Sequence, residues 1–143
     1  MKQEINVGTE GDIKDQKAKY RMYDKTRIKK CMIKNERLKE NDGKPFTWKI
    51  KPKERIETKE GHLKKGTCVQ VAACMGFEEE HPETHIAIGI IDEDGEETYI
   101  ENGVNLVSHL KVKKDGRYRV FLENLGAKKA IAGGHYMVIT EEE

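Results

Sequence analysis

The sequence lacks the signatures of several common protein classes. No apolar run approaches the roughly 18 residues of a membrane helix, so no membrane span is expected. The three cysteines form no Cys-x-x-Cys pair, which excludes a zinc ribbon and a thioredoxin-type motif. Neither a Gly-x-x-x-x-Gly-Lys phosphate loop nor a Gly-x-Ser-x-Gly elbow occurs, and the single serine is Ser108. These absences argue against an enzyme, and no catalytic residue is assigned.

The N-terminus and the cysteines say little about the compartment. The chain begins Met1-Lys2-Gln3-Glu4 without the apolar stretch of an export signal, so we expect a cytoplasmic protein or the mature segment of an exported one. Cys68 and Cys74 fall on one face of a predicted strand about 20 Å apart, too far for a disulfide. Cys31 can pair with either of them, and the sequence does not choose.

Charge is abundant and unevenly distributed. Charged residues make up 37% of the 143 residues and hydrophobic residues 36%, which allows only a modest core. The net charge is +1, so bulk charge does not indicate a polyanion binder. Residues 1–66 hold 20 Lys and Arg against 11 Asp and Glu, whereas residues 67–143 hold 7 against 15. Either a basic arm meets an anionic partner, or the two halves attract each other or are simply solvated; we favour the second interpretation.

Short alternating apolar segments recur every 8–14 residues from Phe46 onward. Turn signals such as Asp92-Glu93-Asp94-Gly95 separate them. The pattern predicts an all-β antiparallel sandwich, of jelly-roll or immunoglobulin-like type, in which Ser108 faces the core. A parallel sheet is excluded because no convincing helix is available for its crossovers. The predicted strands are Arg27–Lys34, Phe46–Ile50, Ile56–Leu63, Thr67–Met75, His85–Ile91, Glu97–Ile100, Leu106–Val112, Arg117–Glu123 and His135–Thr140.

The pattern divides the chain into three parts. Residues 1–45 form a basic segment that is partly mobile or adds an edge strand, because they contain no long apolar run. Residues 46–140 form the single sandwich domain. Residues 141–143 are an acidic, solvated tail.

Two segments carry a resemblance to known modules. The run Leu110-Lys-Val-Lys-Lys-Asp-Gly-Arg-Tyr-Arg-Val-Phe-Leu-Glu-Asn124 is an apolar strand, an Asp-Gly-x-Tyr turn and an alternating strand. Leu63-Lys-Lys-Gly-Thr-Cys-Val-Gln-Val71 has the spacing Leu-x-x-Gly-x-x-Val-x-Val. Both resemble bacterial jelly-roll and immunoglobulin-like accessory domains, including pre-peptidase C-terminal and carbohydrate-binding types. The resemblance covers residues 55–140 and implies a fold, together with work outside the cell or at its surface.

Acidic and histidine residues gather at both ends of one predicted strand. The first group lies in Glu78–His85, and the second in the acidic turn that follows the strand. Carboxylates on a looped backbone suit calcium, although neither segment fits the twelve-residue calcium loop. No cofactor is expected otherwise, and the alternative is that these acids keep the sheet ends soluble. The candidate ligands are Glu80, His81, Glu83, His85, Asp92 and Asp94.

Two further surfaces can be predicted from aromatic residues. Trp48, Tyr99 and Phe121 are candidate platforms for a glycan ligand, together with Phe77. Phe121 falls opposite the core-facing Tyr118, so it is either an exposed platform or a ring packed under a loop or the N-terminal arm. A second set interleaves basic and aromatic residues, as in single-strand nucleic-acid binders. Its members are Tyr20, Arg21, Tyr23, Arg27, Lys29 and Lys30, with Trp48, Lys49, Lys51, Lys53 and Arg55 extending the stripe.

The sequence therefore favours a non-catalytic binding or accessory module for a cell-surface polymer or a protein partner. The alternative is a small nucleic-acid-binding β-barrel that uses residues 20–55. A structural subunit of a larger assembly, with edge strands pairing between copies, is a third reading.

Overall fold

A computed structural model describes residues 17–37, 45–75, 85–102 and 105–139, and these ranges are built almost entirely from strands. One 3-10 turn, Lys25–Arg27, is the helical exception among them. The strands are β1 (Lys19–Met22), β2 (Lys30–Arg37), β3 (Pro45–Ile50), β4 (Glu54–Lys59), β5 (Gly61–Leu63), β6 (Cys68–Met75), β7 (Ile86–Asp92), β8 (Glu96–Asn102), β9 (Asn105–Lys111), β10 (Gly116–Asn124) and β11 (Ala130–Ile139).

The strands form two sheets that pack as a sandwich. The seven-stranded sheet has the order β1-β8-β7-β10-β4-β2, with β5 pairing β10 beyond the end of β4. The four-stranded sheet has the order β3-β11-β6-β9. The predicted all-β sandwich is confirmed, and all pairs but one are antiparallel.

The core lies between the sheets and follows the alternation of the sequence. Inward positions are apolar because each strand turns every second side chain toward the opposite sheet. Ser108 lies among them and is buried, as its predicted strand face requires. The core side chains include Val69, Val71, Ile86, Ile88, Ile90, Leu106, Leu110, Tyr118, Val120, Leu122, Tyr136 and Val138.

The exclusion of parallel pairing was wrong at one place. β2 runs parallel to β4, with Lys30 opposite Glu54 and Met32 opposite Ile56. Between them the chain passes through β3, which belongs to the other sheet. A strand in the facing sheet can therefore serve as the crossover that a helix provides in α/β proteins.

Several strand boundaries also differ from the prediction. The predicted strand Ile56–Leu63 is two strands, β4 and β5, and the first strand of residues 27–34 starts at Lys30 instead. The last strand was predicted to start at His135, but β11 starts at Ala130, so Gly133 and Gly134 lie inside it. A Cβ at Gly134 would overlap the carbonyl oxygen of Ala72, so a glycine here lets β6 and β11 approach closely.

The N-terminal segment contributes to the sheet at both of its edges. β1 is the end strand beside β8, and β2 is the end strand beside β4. Because the chain between them must travel from one edge to the other, residues 23–29 cross the outer face of the seven-stranded sheet. This crossing positions the site described next.

Candidate functional site

The outer face of the seven-stranded sheet, the side turned away from the core, is covered by residues 19–29, which we call the strap. The strap begins as β1 beside β8. The Tyr23 amide then donates to the carbonyl of Gly95 at 2.8 Å, and the Lys29 amide donates to the carbonyl of Lys53 at 2.8 Å. Backbone hydrogen bonds therefore fix the strap at both edges of the sheet.

Three buried glutamates and one buried arginine lie beneath the strap. Glu57, Glu97 and Glu123 project outward from β4, β8 and β10, and Arg55 projects from β4 among them. Arg55 Nε donates to Glu57 Oε2 at 2.7 Å, and its Nη1 donates to Glu123 Oε1 at 3.1 Å. The same Nη1 lies 2.7 Å from Glu97 Oε2. One guanidinium thus joins carboxylates from three strands.

The strap adds two more arginines to these carboxylates. Arg21 Nε donates to Glu97 Oε1 at 2.6 Å, and Arg21 Nη2 donates to Glu123 Oε1 at 2.8 Å. Arg27 Nε donates to Glu123 Oε2 at 2.8 Å. Burial by itself lowers the pKa of Arg27, but the hydrogen bond and charge of Glu123 outweigh it and raise the pKa above its ordinary value. We call these three arginines and three glutamates the charge network.

Aromatic rings form the floor of the charge network. The guanidinium carbon of Arg21 lies 4.2 Å from the centroid of the Tyr99 ring, and that of Arg55 lies 3.9 Å from the centroid of Phe121. The two rings are tilted neighbours with centroids 6.5 Å apart. Planar guanidinium groups stack on aromatic faces and present hydrogen-bond donors along their edges, so rings and carboxylates together suit arginine.

The network balances in charge but leaves two buried polar atoms without a hydrogen bond. Within the described residues, Arg55 Nη2 and Glu97 Oε2 have no hydrogen-bond partner, although Glu97 Oε2 is in ion-pair contact with Arg55. Burying Arg55 and the three glutamates, and Arg21 and Arg27 in part, costs desolvation energy that good geometry only partly repays. Much of this repayment depends on the strap, because it supplies two of the three cations.

The three predicted glycan platforms are not exposed. Trp48, Tyr99 and Phe121 keep only 6%, 8% and 0% of their exposure. Trp48 stacks on Phe46 in the core, with centroids 4.2 Å apart. Phe121 does point away from the core, but the strap and Arg55 cover it, so the packed-ring interpretation is the right one for this residue. Phe77 lies outside the described residues.

The predicted nucleic-acid residues are divided between two roles. Arg21 and Arg27 belong to the charge network and donate hydrogen bonds to glutamates. Tyr23 is exposed at its edge but has its ring 5.3 Å from the Arg55 guanidinium carbon. Tyr20, Lys29 and Lys30 are exposed. Two members of the predicted stripe are thus engaged within the protein, and nucleic-acid binding by the set stays a prediction.

The predicted calcium ligands are only partly within the structure. Glu80, His81 and Glu83 lie outside the described residues. His85 Nε2 lies 3.7 Å from Glu101 Oε1. Among the described residues no group of three His, Cys, Asp or Glu side chains converges on one point. A calcium site in the segment 78–85 stays a prediction.

The other two candidate ligands serve the β7–β8 hairpin. Asp92 Oδ1 accepts from the amides of Asp94 and Glu96, both at 2.9 Å. Lys114 Nζ lies 2.5 Å from Asp94 Oδ2 and 3.5 Å from Asp92 Oδ2, and these carboxylates raise the pKa of Lys114. A lysine ammonium therefore already compensates this acidic turn.

Two of the described nucleophiles, Ser108 and Cys31, are poorly placed for catalysis. Ser108 is buried in the middle of β9. Partial burial of the Cys31 thiol, together with the nearby Glu57 carboxylate, raises the pKa of Cys31 to about 11. A thiol with such a pKa stays protonated at neutral pH and is a weak nucleophile. The cysteines form no disulfide, so Cys31 pairs with neither Cys68 nor Cys74.

Exposed large apolar side chains concentrate on the strap. Among the described residues they are Tyr20 at 54%, Met22 at 59%, Tyr23 at 38% and, on β2, Ile33 at 50%. Tyr20 and Met22 share the face of β1 opposite Arg21, and Lys113 Nζ lies 3.8 Å from the centroid of the Tyr20 ring. Thr98, which pairs with Tyr20, lines a shallow pocket there together with Lys111 and Lys113.

Comparison with known proteins identifies a similar fold but no family. No family model and no curated protein matches the chain. The pre-peptidase C-terminal domain of a collagenase from Bacillus anthracis superposes with a TM-score of 0.51 at 8% identity, over 72% of this chain and 94% of that one. The fold-level resemblance inferred from the sequence is therefore confirmed, and at this identity it shows the fold alone.

A second solved structure matches less well. The periplasmic g-type lysozyme inhibitor PliG from Aeromonas hydrophila gives a TM-score of 0.41 at 9% identity, over 76% of this chain and 98% of that one. That score supports no conclusion about this chain. Separately, no helix within the described residues is long and apolar enough to cross a membrane.

The charge network was not predicted from the sequence, yet two signals pointed toward it. The basic first half and acidic second half do attract each other here, since Arg21, Arg27 and Arg55 meet Glu97 and Glu123. The second signal is local, because charged residues occupy the outward positions beside Ile56 and Leu122 in central strands. Such charges indicate that another part of the chain covers that face.

Proposed function

We propose that this chain is a non-catalytic binding module whose partner is a protein. The observation that carries the proposal is the placement of Tyr20 and Met22, which are more than half exposed on an open edge strand. Exposed aromatic and methionine side chains are enriched where proteins contact one another. An edge strand also offers unpaired amides and carbonyls to an incoming strand.

The same structure lends less support to the other readings. A glycan platform needs open rings, and Trp48, Tyr99 and Phe121 are all buried. A nucleic-acid stripe needs available cations, and Arg21 and Arg27 are engaged with buried glutamates. The collagenase domain shares the fold of this chain, and that similarity identifies no partner. A protein partner at β1 accounts for the exposed side chains of Tyr20 and Met22 in their observed positions.

Comparative capture with three forms of the full chain tests this proposal. Wild type, Tyr20→Ser/Met22→Thr and Ile33→Thr are immobilised and exposed to extract and medium of the source cells, and retained proteins are quantified by mass spectrometry. The Ile33→Thr form is the matched control, because Ile33 is equally exposed on the opposite edge strand. We expect a protein that wild type and control retain and the double variant loses, and that binds purified wild type directly.

Three other results would contradict the proposal. Equal retention of the same proteins by all three forms would remove β1 as the contact surface. Binding of a short oligonucleotide that weakens with added salt would favour the nucleic-acid reading instead. A regular assembly of the purified chain alone, seen by light scattering and abolished by the β1 substitutions, would favour a structural subunit.

A further inference from the structure

Without the strap, the outer face of the seven-stranded sheet would present carboxylates and an aromatic ring, which are the groups that bind arginine side chains. Beneath the strap, the sheet itself contributes Glu57, Glu97 and Glu123, with Arg55 among them. Arg119 of β10 lies 3.8 Å from Glu57, so Glu57 has a second cation from the sheet. Among the described residues, Glu97 and Glu123 have only Arg55 as an ion-pair partner apart from the strap. Tyr99 supplies a ring face at the position where the strap seats its first guanidinium.

The strap fills this site as a ligand would. Arg21 stacks on Tyr99 and reaches two glutamates, and Arg27 reaches Glu123 with its Nε and lies 3.7 Å from Glu97 with its Nη2. The two strap arginines thus supply positive charge to Glu97 and Glu123, which otherwise share Arg55. Forked contacts of this kind are specific to guanidinium, because an ammonium group cannot reproduce them.

Besides the charge network, the strap is held by backbone hydrogen bonds at the two sheet edges and by the Lys19–Glu101 ion pair, and it buries little apolar surface. Every residue from 17 to 34 keeps at least partial exposure, and the 3-10 turn contains no buried residue. β1 pairs along only four residues of β8. A segment with few buried apolar contacts opens locally at low free-energy cost compared with the core. Between its two backbone-bonded ends, the strap is therefore joined to the face below it mainly by the side chains of the charge network.

We propose that this face is a binding site for an extended segment of a partner protein that carries two arginine side chains, and that the strap occupies the site in cis. The partner segment competes with the strap for Glu97 and Glu123. The strap has the advantage of a high effective concentration, so it keeps the buried carboxylates paired until a partner arrives. This inference goes beyond the proposed function and does not depend on it, because Tyr20 and Met22 lie on the opposite face of β1.

Guanidinium rescue of the full-length chain tests the chemistry of the site. In the Arg21→Ala/Arg27→Ala variant the site is vacated, and millimolar ethylguanidinium should raise its melting temperature, since a ligand that binds only the folded state stabilises it. Ethylammonium at the same concentration should not, and wild type should respond to neither. The rise in melting temperature with ethylguanidinium should persist when Tyr20→Ser is added to this variant. It should disappear when Glu123→Gln is added instead.

A labelled peptide of residues 17–29 tests recognition of a polypeptide. By fluorescence anisotropy it should bind the double variant at least about tenfold more tightly than wild type, whose strap competes. Replacing both peptide arginines by lysine should weaken binding by about tenfold. Should the double variant not fold, the single Arg27→Ala variant serves, because it leaves β1 and Arg21 in place. Equal effects of guanidinium and ammonium, equal binding of the two peptides, or no effect of any probe on a folded variant would overturn the proposal.

Discussion

The guanidinium carbon of Arg55 lies 3.9 Å from the centroid of the Phe121 ring, and both side chains are fully buried on the outer side of the sheet. Phe121 packs there with Ala87, Ile91 and Tyr99 in a small apolar cluster separate from the main core. A cation held over a ring away from water is worth about 2 kcal/mol. The sandwich therefore has a third layer, in which arginines and the strap cover a face that would otherwise meet solvent.

Replacing Arg55 should destabilise the protein more than replacing any exposed arginine. Arg55→Leu removes the cation shared by Glu57, Glu97 and Glu123, and uncompensated buried charge costs about 3–5 kcal/mol. Arg117→Leu is the control, because Arg117 is exposed and its ion pairs with Glu93 and Glu60 are long. We expect the control to cost less than about 1 kcal/mol. Urea denaturation measures both, and equal losses would show that the network adds no stability of its own.

The side chains between the two sheets could be predicted from the sequence, whereas those on the outer face of the seven-stranded sheet could not. Alternation placed Ile86, Ile88 and Ile90 toward the core correctly, because one sheet face always packs on the other. The same rule treated the opposite face as solvated, and so it offered Phe121 and Tyr99 as exposed platforms. Their burial depends on the strap, which contacts strands 76 to 102 residues away in sequence. Local periodicity carries no information about such a contact.

The two adjacent glycines of β11 should respond oppositely to alanine. A Cβ at Gly134 would overlap the carbonyl oxygen of Ala72, so Gly134→Ala forces β6 and β11 apart and should cost about 3 kcal/mol or more. A Cβ at Gly133 would lie 3.7 Å from the Phe46 carbonyl oxygen, an ordinary contact. Gly133→Ala should therefore be neutral or stabilise by about 0.5 kcal/mol through the unfolded chain. Thermal melts of the pair measure the difference, and similar melting temperatures would refute the close approach.

Cys31 should react slowly with alkylating reagents at neutral pH. With its pKa raised to about 11, about one Cys31 thiol in a thousand is ionised at pH 8 in the folded protein. Because ionisation is disfavoured by burial and by Glu57, the alkylation rate should climb with pH until about pH 11. Mass spectrometry of iodoacetamide-treated protein reports this rate. Rapid modification of folded Cys31 at pH 8, at the rate seen in urea, would contradict the assigned environment.

The acidic hairpin turn should depend on Asp92 and tolerate loss of Asp94. Asp92→Ala leaves the amides of Asp94 and Glu96 without their acceptor and should cost about 1–3 kcal/mol. Asp94→Ala removes only an exposed ion pair with Lys114 and should cost less than about 1 kcal/mol. Denaturation curves of the two variants test the ranking, and a larger loss at Asp94 would reverse this assignment of roles.

Arg21 and Arg27 hold the strap on the sheet, and amide hydrogen exchange by NMR measures how firmly they hold it. Exchange is measured for wild type and for Arg21→Gln/Arg27→Gln, comparing the Tyr23 amide, bonded to Gly95, with the Val120 amide in the centre of β10. We expect the substitutions to speed exchange at the Tyr23 amide by about tenfold or more while the Val120 amide stays protected. Unchanged protection at Tyr23 in the variant would show that the strap is held without the charge network.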